Sequence, residues 1–128
     1  IIKEGKDGIL FVHSSMIDEI NTLDELLQKD NINLTFATVP MITTQYKFEK
    51  ILTDFDYIFT LEEHYLTGGF GSLLTDYVNN STLCKKIIKF GIKNEYIHKI
   101  GNRDYLRKYY EIDAVSIHKK IIKRIKQC

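Results

Sequence analysis

The chain is 128 residues and 15.0 kDa, 44% hydrophobic and 27% charged, which fits one domain over residues 1–128 able to bury a core without disulfides or metals. No apolar run approaches the ~20 residues that cross a bilayer, and Cys84 and Cys128 lack any metal or disulfide-framework spacing, so a cytoplasmic protein with no membrane contact is expected. The formal net charge of +1 hides a split, because residues 1–82 carry 5 basic and 13 acidic groups while residues 83–128 carry 13 basic and 4 acidic.

The chain opens Ile1-Ile2-Lys3 rather than on methionine and is expected to be a piece of something longer. In chain order, Gly8-Ile9-Leu10-Phe11-Val12 is short, apolar and bounded by turn residues, as a strand covered on both faces should be. Ser14 and Ser15 offer a helix N-cap, and Ser15 with Asp18 has capping-box spacing. Met16, Ile17, Ile20, Leu23, Leu26 and Leu27 then form an apolar helical face as far as Lys29, where Asp30-Asn31 breaks it.

Leu34 to Val39 reads as a second strand, ended by Pro40, the single proline of the chain. A helix is expected from Thr44 to Asp54, with Phe48, Ile51, Leu52 and Phe55 on one side. Asp56 to Leu61 is a third strand, and Gly68-Gly69-Phe70-Gly71 leads into a helix with Phe70, Leu73, Leu74, Tyr77 and Val78 on one face. Ile87 to Phe90 is a fourth strand. A small helix follows from Arg103 to Tyr110, and Asp113 is placed to cap a last helix striped by Val115, Ile117, Ile121, Ile122 and Ile125. Strands alternating with amphipathic helices imply a mostly parallel sheet between helical layers.

The strongest local feature runs from Thr60 to Ser72, between a strand and a helix, where open α/β sheets bind ligands. The phosphate-binding reading fares poorly there. The P-loop pattern is absent, and Gly69-x-Gly71 lacks the third glycine of a dinucleotide fingerprint, position 74 being leucine. Glu62, Glu63 and His64 lie on one extended segment, where alternation sends neighbouring side chains to opposite faces and keeps the three from one metal ion. No nucleophile elbow is present, and His13, His98 and His118 stand alone.

The basic residues Lys119, Lys120, Lys123, Arg124 and Lys126 read as a solvated helix end that complements the helix dipole. No domain-wide basic excess accompanies them, so no nucleic-acid partner is expected. Tyr105, Tyr109 and Tyr110 are expected to pack. The charge split then reads as an acidic front and a basic C-terminal end of one domain, a dipolar surface suited to orienting it against neighbours.

Glu62-Glu63-His64, a short spacer, and Gly68-Gly69-Phe70-Gly71-Ser72 opening a helix together resemble the C-terminal domain of transketolase-like, thiamine-diphosphate-dependent enzymes. The resemblance spans nearly the whole chain through Glu4-Gly5-Lys6-Asp7, Gly91-Ile92, and Gly101 with Leu106, Tyr109 and Ile112. True transketolase, deoxyxylulose-phosphate synthase, the 2-oxoacid dehydrogenase β chain and transketolase-like proteins of sugar biosynthesis all fit it, with a transketolase-like protein favoured.

The resemblance implies a three-layer α/β/α fold around a mixed, mostly parallel five-stranded sheet, with a fifth strand near Tyr96 to Ile100. It also implies an accessory domain of a homodimeric parent transferase, whose thiamine diphosphate and magnesium sit in the other domains. No residue of this chain is assigned a catalytic, cofactor-binding or metal-binding role, and the domain alone is expected to be inactive. Glu62, Glu63, His64, Gly68, Gly69, Phe70, Gly71 and Ser72 are the candidates for contact with the neighbouring domain or subunit at the active-site entrance. The competing reading is a stand-alone α/β binding module for a phosphorylated ligand at Gly68 to Ser72 or for an acidic partner on the last helix.

Overall fold

The computed structural model describes residues 2–38, 52–65, 70–92 and 103–126. Strands β1 (Ile9–Val12), β2 (Thr35–Thr38), β3 (Ile58–Tyr65) and β4 (Ile87–Ile92) form one sheet in the order β2-β1-β3-β4, with all neighbours parallel. A 3-10 turn (Ser14–Glu19) leads into α1 (Ile20–Lys29), followed by α2 (Phe70–Asn79), α3 (Arg103–Tyr109) and α4 (Ala114–Lys126).

Period-2 alternation along the strands sorts the core into two layers. Leu10, Val12, Phe36, Phe59, Leu61 and Phe90 face one way and meet Leu23 and Leu27 of α1 and Ile117 and Ile121 of α4. Ile9, Phe11, Ala37 and Ile58 face the other way and meet Leu74 and Val78 of α2, with Leu52. All four residues of β1 are buried, as a strand with helices on both faces requires.

The sheet corrects one expectation. The resemblance implied five strands with one antiparallel, whereas the described residues form four parallel strands; Tyr96 to Ile100 lies outside them. Antiparallel pairing occurs instead as an isolated bridge between Lys3 and Phe36 on the outer edge of β2. Gly5 lets this segment approach, since a Cβ there would stand 2.4 Å from the Asn33 carbonyl oxygen. The expected helix from Thr44 to Asp54 lies outside the described residues except at its end.

Two helices stop in the same way. Asn31 and Glu111 adopt φ of 59° just beyond α1 and α3. The Ile32 and Asn31 amides donate to the Leu27 and Gln28 carbonyls at 3.0 Å, and the Ile112 and Glu111 amides donate to those of Arg107 and Lys108 at 2.9 and 3.2 Å. This pair of hydrogen bonds satisfies carbonyls that a helix end leaves open.

The helix starts depart from the sequence reading. Glu19, rather than Ser14 or Ser15, precedes α1 and makes no side-chain cap bond. At α4, Asp113 Oδ1 is buried without a partner among the described residues, and the Ala114 amide donates to Glu19 Oε2 at 3.1 Å. Leu73 and Val115, assigned to apolar faces, are 59% and 47% exposed. Tyr105 and Tyr109 stack with ring centroids 6.4 Å apart but remain about half exposed.

Several charges from the two parts of the chain form ion pairs within one helical layer. Arg107, 1% exposed, donates to Asp18 Oδ2 at 2.7 Å and Glu19 Oε1 at 3.2 Å. His118 Nε2 donates to Asp30 Oδ2 at 2.8 Å, and Lys126 reaches Asp30 Oδ1 at 3.4 Å. The His118 hydrogen bond, helped by Lys126 and opposed by burial, holds the Asp30 carboxyl below its ordinary value. Asp18, Glu19 and Asp30 of the acidic part and Arg107, His118 and Lys126 of the basic part thus meet between α1, α3 and α4.

Candidate functional site

The carboxyl end of β3 is where the second core layer turns polar. Ile58 is apolar, but the next residues on the same face, Thr60 and Glu62, are a hydroxyl and a carboxylate, both buried. On β4 the residue aligned with Thr60 is Lys89, flanked by Ile88 and Phe90, which belong to the opposite core layer. Pairing runs regularly to Leu61 and Phe90 and then shifts, so that Tyr65 meets Ile92. Two extra residues therefore sit on β3, and Glu62, Glu63 and His64 lie in the irregular stretch. Such a bulge bends a strand; Glu62 still shares the face of Thr60, since both meet the first turn of α2 at Gly71.

Helix α2 returns over this end of the sheet with its first turn pressed against it. Gly71 is buried, and a Cβ at this position would stand 2.5 Å from Thr60 Oγ1 and 2.8 Å from Lys89 Cγ. Glycine is required here by close packing. The Gly71 amide donates to Glu62 Oε2 at 3.4 Å, and Thr75 Oγ1 donates to the Gly71 carbonyl at 2.7 Å. Ser72 Oγ accepts from Lys89 Nζ at 3.4 Å. Thr60 Oγ1 is buried without a hydrogen-bond partner among the described residues.

The structure therefore brings together Glu62, Gly71 and Ser72, three of the eight residues singled out from the sequence. Glu63 and His64 are placed in β3 by their backbone, and Phe70 opens α2. Gly68 and Gly69 lie outside the described residues. Two members of the cluster, Thr60 and Lys89, were missed as site residues. Stepping back two positions from Glu62 finds Thr60 on its face, and a lysine inside an apolar strand was the signal for Lys89.

Chemically, Glu62, Ser72 and Lys89 engage the chain's own backbone and side chains, while Thr60 Oγ1 has no hydrogen-bond partner among the described residues. Ser72 is engaged by an ammonium and the Glu62 carboxylate by an amide, an arrangement that fixes a strand-to-helix junction rather than one that activates a nucleophile. Among the described residues, no group of three or more His, Cys, Asp or Glu side chains could hold a metal ion. No described helix is long and apolar enough to cross a membrane.

Comparison with known proteins shows the family. The family model described as transketolase, C-terminal domain, matches residues 1–117. A transketolase C-terminal section of Methanocaldococcus jannaschii is 29% identical over 128 residues, covering 99% of this chain and 40% of that protein. An apulose-4-phosphate transketolase subunit of Actinobacillus succinogenes is 30% identical over 118 residues, covering 90% and 37%. The 1-deoxy-D-xylulose-5-phosphate synthase of Dictyoglomus thermophilum is 27% identical over 124 residues, covering 95% and 20%.

The chain thus spans 40% or less of the length of these relatives. Among solved structures, a split-gene transketolase in an inactive β4 tetramer shares the fold, with a TM-score of 0.81 at 17% identity over 97% of this chain and 41% of that one.

Proposed function

Since this chain belongs to the transketolase C-terminal domain family, we propose that residues 1–128 form one accessory domain that supports the dimer of a thiamine-diphosphate-dependent, transketolase-like transferase. The parent enzyme moves a ketol unit between sugar phosphates in the cytoplasm. Its cofactor, held with magnesium by other domains or subunits, supplies the carbanion chemistry when bound. Among the described residues no group of three or more His, Cys, Asp or Glu side chains could hold a metal ion, and we assign no step of that chemistry to this chain.

The observation that carries the reading is one of extent. Nearly the whole chain aligns, yet it aligns with only 40% of a protein named as a section and 37% of one named as a subunit. Glu62, Glu63, His64, Gly68, Gly69, Phe70, Gly71 and Ser72 are the residues we assign to the contact with the rest of the enzyme, at the active-site entrance.

The stand-alone module is less well supported. A phosphate at the start of α2 would meet the Glu62 carboxylate already on the Gly71 amide, and on the last helix His118 and Lys126 are already engaged with Asp30. Two measurements separate the readings. Purified 1–128 should convert no ketose phosphate and bind no thiamine diphosphate by calorimetry, whereas adding the cofactor-binding partner should give ketol transfer. A melting-temperature rise with inorganic phosphate, abolished by Gly71→Val, would instead favour the module.

A further inference from the structure

The first helical residue of α2 is Phe70, and the residue before it in the sequence is Gly69, a residue type with no side-chain oxygen to offer the first turn. The Gly71 amide, second in the helix, has no intrahelical acceptor. Its bond goes backwards across the connection to Glu62 Oε2, at 3.4 Å, from the strand that precedes the helix.

Glu62 is 1% exposed. An apolar side chain of the same length would avoid the cost of burying a carboxylate, so stability alone does not call for an acid here. What an acid adds is an acceptor with negative charge, and a helix N-terminus is where that charge is favoured. Gly71 makes the approach feasible, because any side chain there would meet Thr60 Oγ1 and the Lys89 stem and push the first turn off β3.

We propose that Glu62 is a positioning residue that caps α2 from β3. It holds the first turn of the helix, with Gly71 and Ser72, in one arrangement against the carboxyl end of the sheet, where the neighbouring domain or subunit docks. The docking half rests on the accessory-domain reading above, and the capping half stands without it. A surface ordered before the partner arrives loses less entropy on docking, which is the use of a cap placed at this junction.

Hydrogen exchange on the full gene product, free and assembled with its companion domains or subunits, tests this. Glu62→Met keeps the length of the side chain and removes the acceptor, while Glu62→Gln keeps an acceptor oxygen. Loss of an N-cap is worth roughly a fivefold change in equilibrium. Glu62→Met should therefore speed exchange of the Gly71 amide about fivefold or more with Tm unchanged or raised, and should weaken assembly by a similar factor. Glu62→Gln should restore most of both.

Should Glu62→Met not fold, Glu62→Ala, which cannot overpack, gives the same exchange readout. Unchanged Gly71 exchange in the acceptor-less variant overturns the proposal. Faster exchange with unchanged assembly affinity overturns its docking half. Failure of the accessory-domain reading is distinct, since wild type itself would then find no companion.

Discussion

The two faces of the sheet are built from the same four strands and do different work. On the face covered by α1 and α4, the buried strand residues are all apolar, from Leu10 and Val12 to Phe36, Phe59, Leu61 and Phe90. On the face covered by α2 they begin apolar, at Ile9 and Ile58, and end polar, at Thr60, Glu62 and Lys89. The first face is closed further by ion pairs from Arg107, His118 and Lys126, which join residues 88 to 96 positions apart. A domain that had only to fold would not need a buried carboxylate and a buried threonine at one corner, with a lysine beside them. Under the proposed accessory role, the difference separates the face that holds the fold from the face whose carboxyl edge would meet the rest of the enzyme.

The sharpest way to break this contrast is to empty each face in turn. Leu23→Ala under the first face should cost about 3–5 kcal/mol, the range for a fully buried leucine whose cavity collapses poorly. Leu74→Ala on the second face, in a smaller cluster, should fall toward the lower end of that range. Urea denaturation checks both. Equal costs would remove the distinction in packing.

Arg107→Ala comes next. It leaves Asp18 and Glu19 without their cation and should cost about 2–4 kcal/mol, somewhat below a fully buried pair because Asp18 is partly exposed. Ketol transfer by the assembled parent should survive wherever the chain remains folded. Gly71→Ala should behave in the opposite way. Crowding Thr60 and Lys89 should cost about 1–3 kcal/mol, but assembly with the partner should suffer more than the melting temperature indicates.

The smallest effect is one of pH. Because the folded Asp30 carboxyl titrates below its ordinary value of 3.8, the stability it contributes is present above that pH and is lost as pH falls through the lowered folded value. Asp30→Asn should remove this part of the acid destabilisation and flatten the stability curve below pH 3.8. Thermal melts at stepped pH check it. The variant is expected to leave assembly at the other face unchanged.

Much of this contrast was legible in the sequence. Strand and helix positions follow from runs such as Ile9-Leu10-Phe11-Val12 and from the spacing of Leu23 with Leu27, where local patterning and burial agree. The break at Asn31 was also legible, because an asparagine tolerates the left-handed backbone that ends a helix. What escaped is non-local. Nothing near Arg107 in the sequence announces that it meets Asp18 and Glu19 across helices.

Leu73 and Val115 were placed on apolar faces because one-dimensional spacing cannot tell how wide a contact stripe is. At the candidate site, the glycines and acids of Glu62 to Ser72 stood out, and the close approach that makes Gly71 necessary required Thr60 and Lys89 in space.

The central claim is that the carboxyl edge of β3 and the first turn of α2 face the rest of the enzyme, while α1 and α4 serve the fold. Hydrogen exchange by mass spectrometry on the full gene product, before and after assembly with its companion domains or subunits, tests it most directly. The account predicts that new protection concentrates in peptides covering residues 58–72, with α1 and α4 unchanged. Protection gained on α1 and α4, with residues 58–72 exchanging as before, would contradict it.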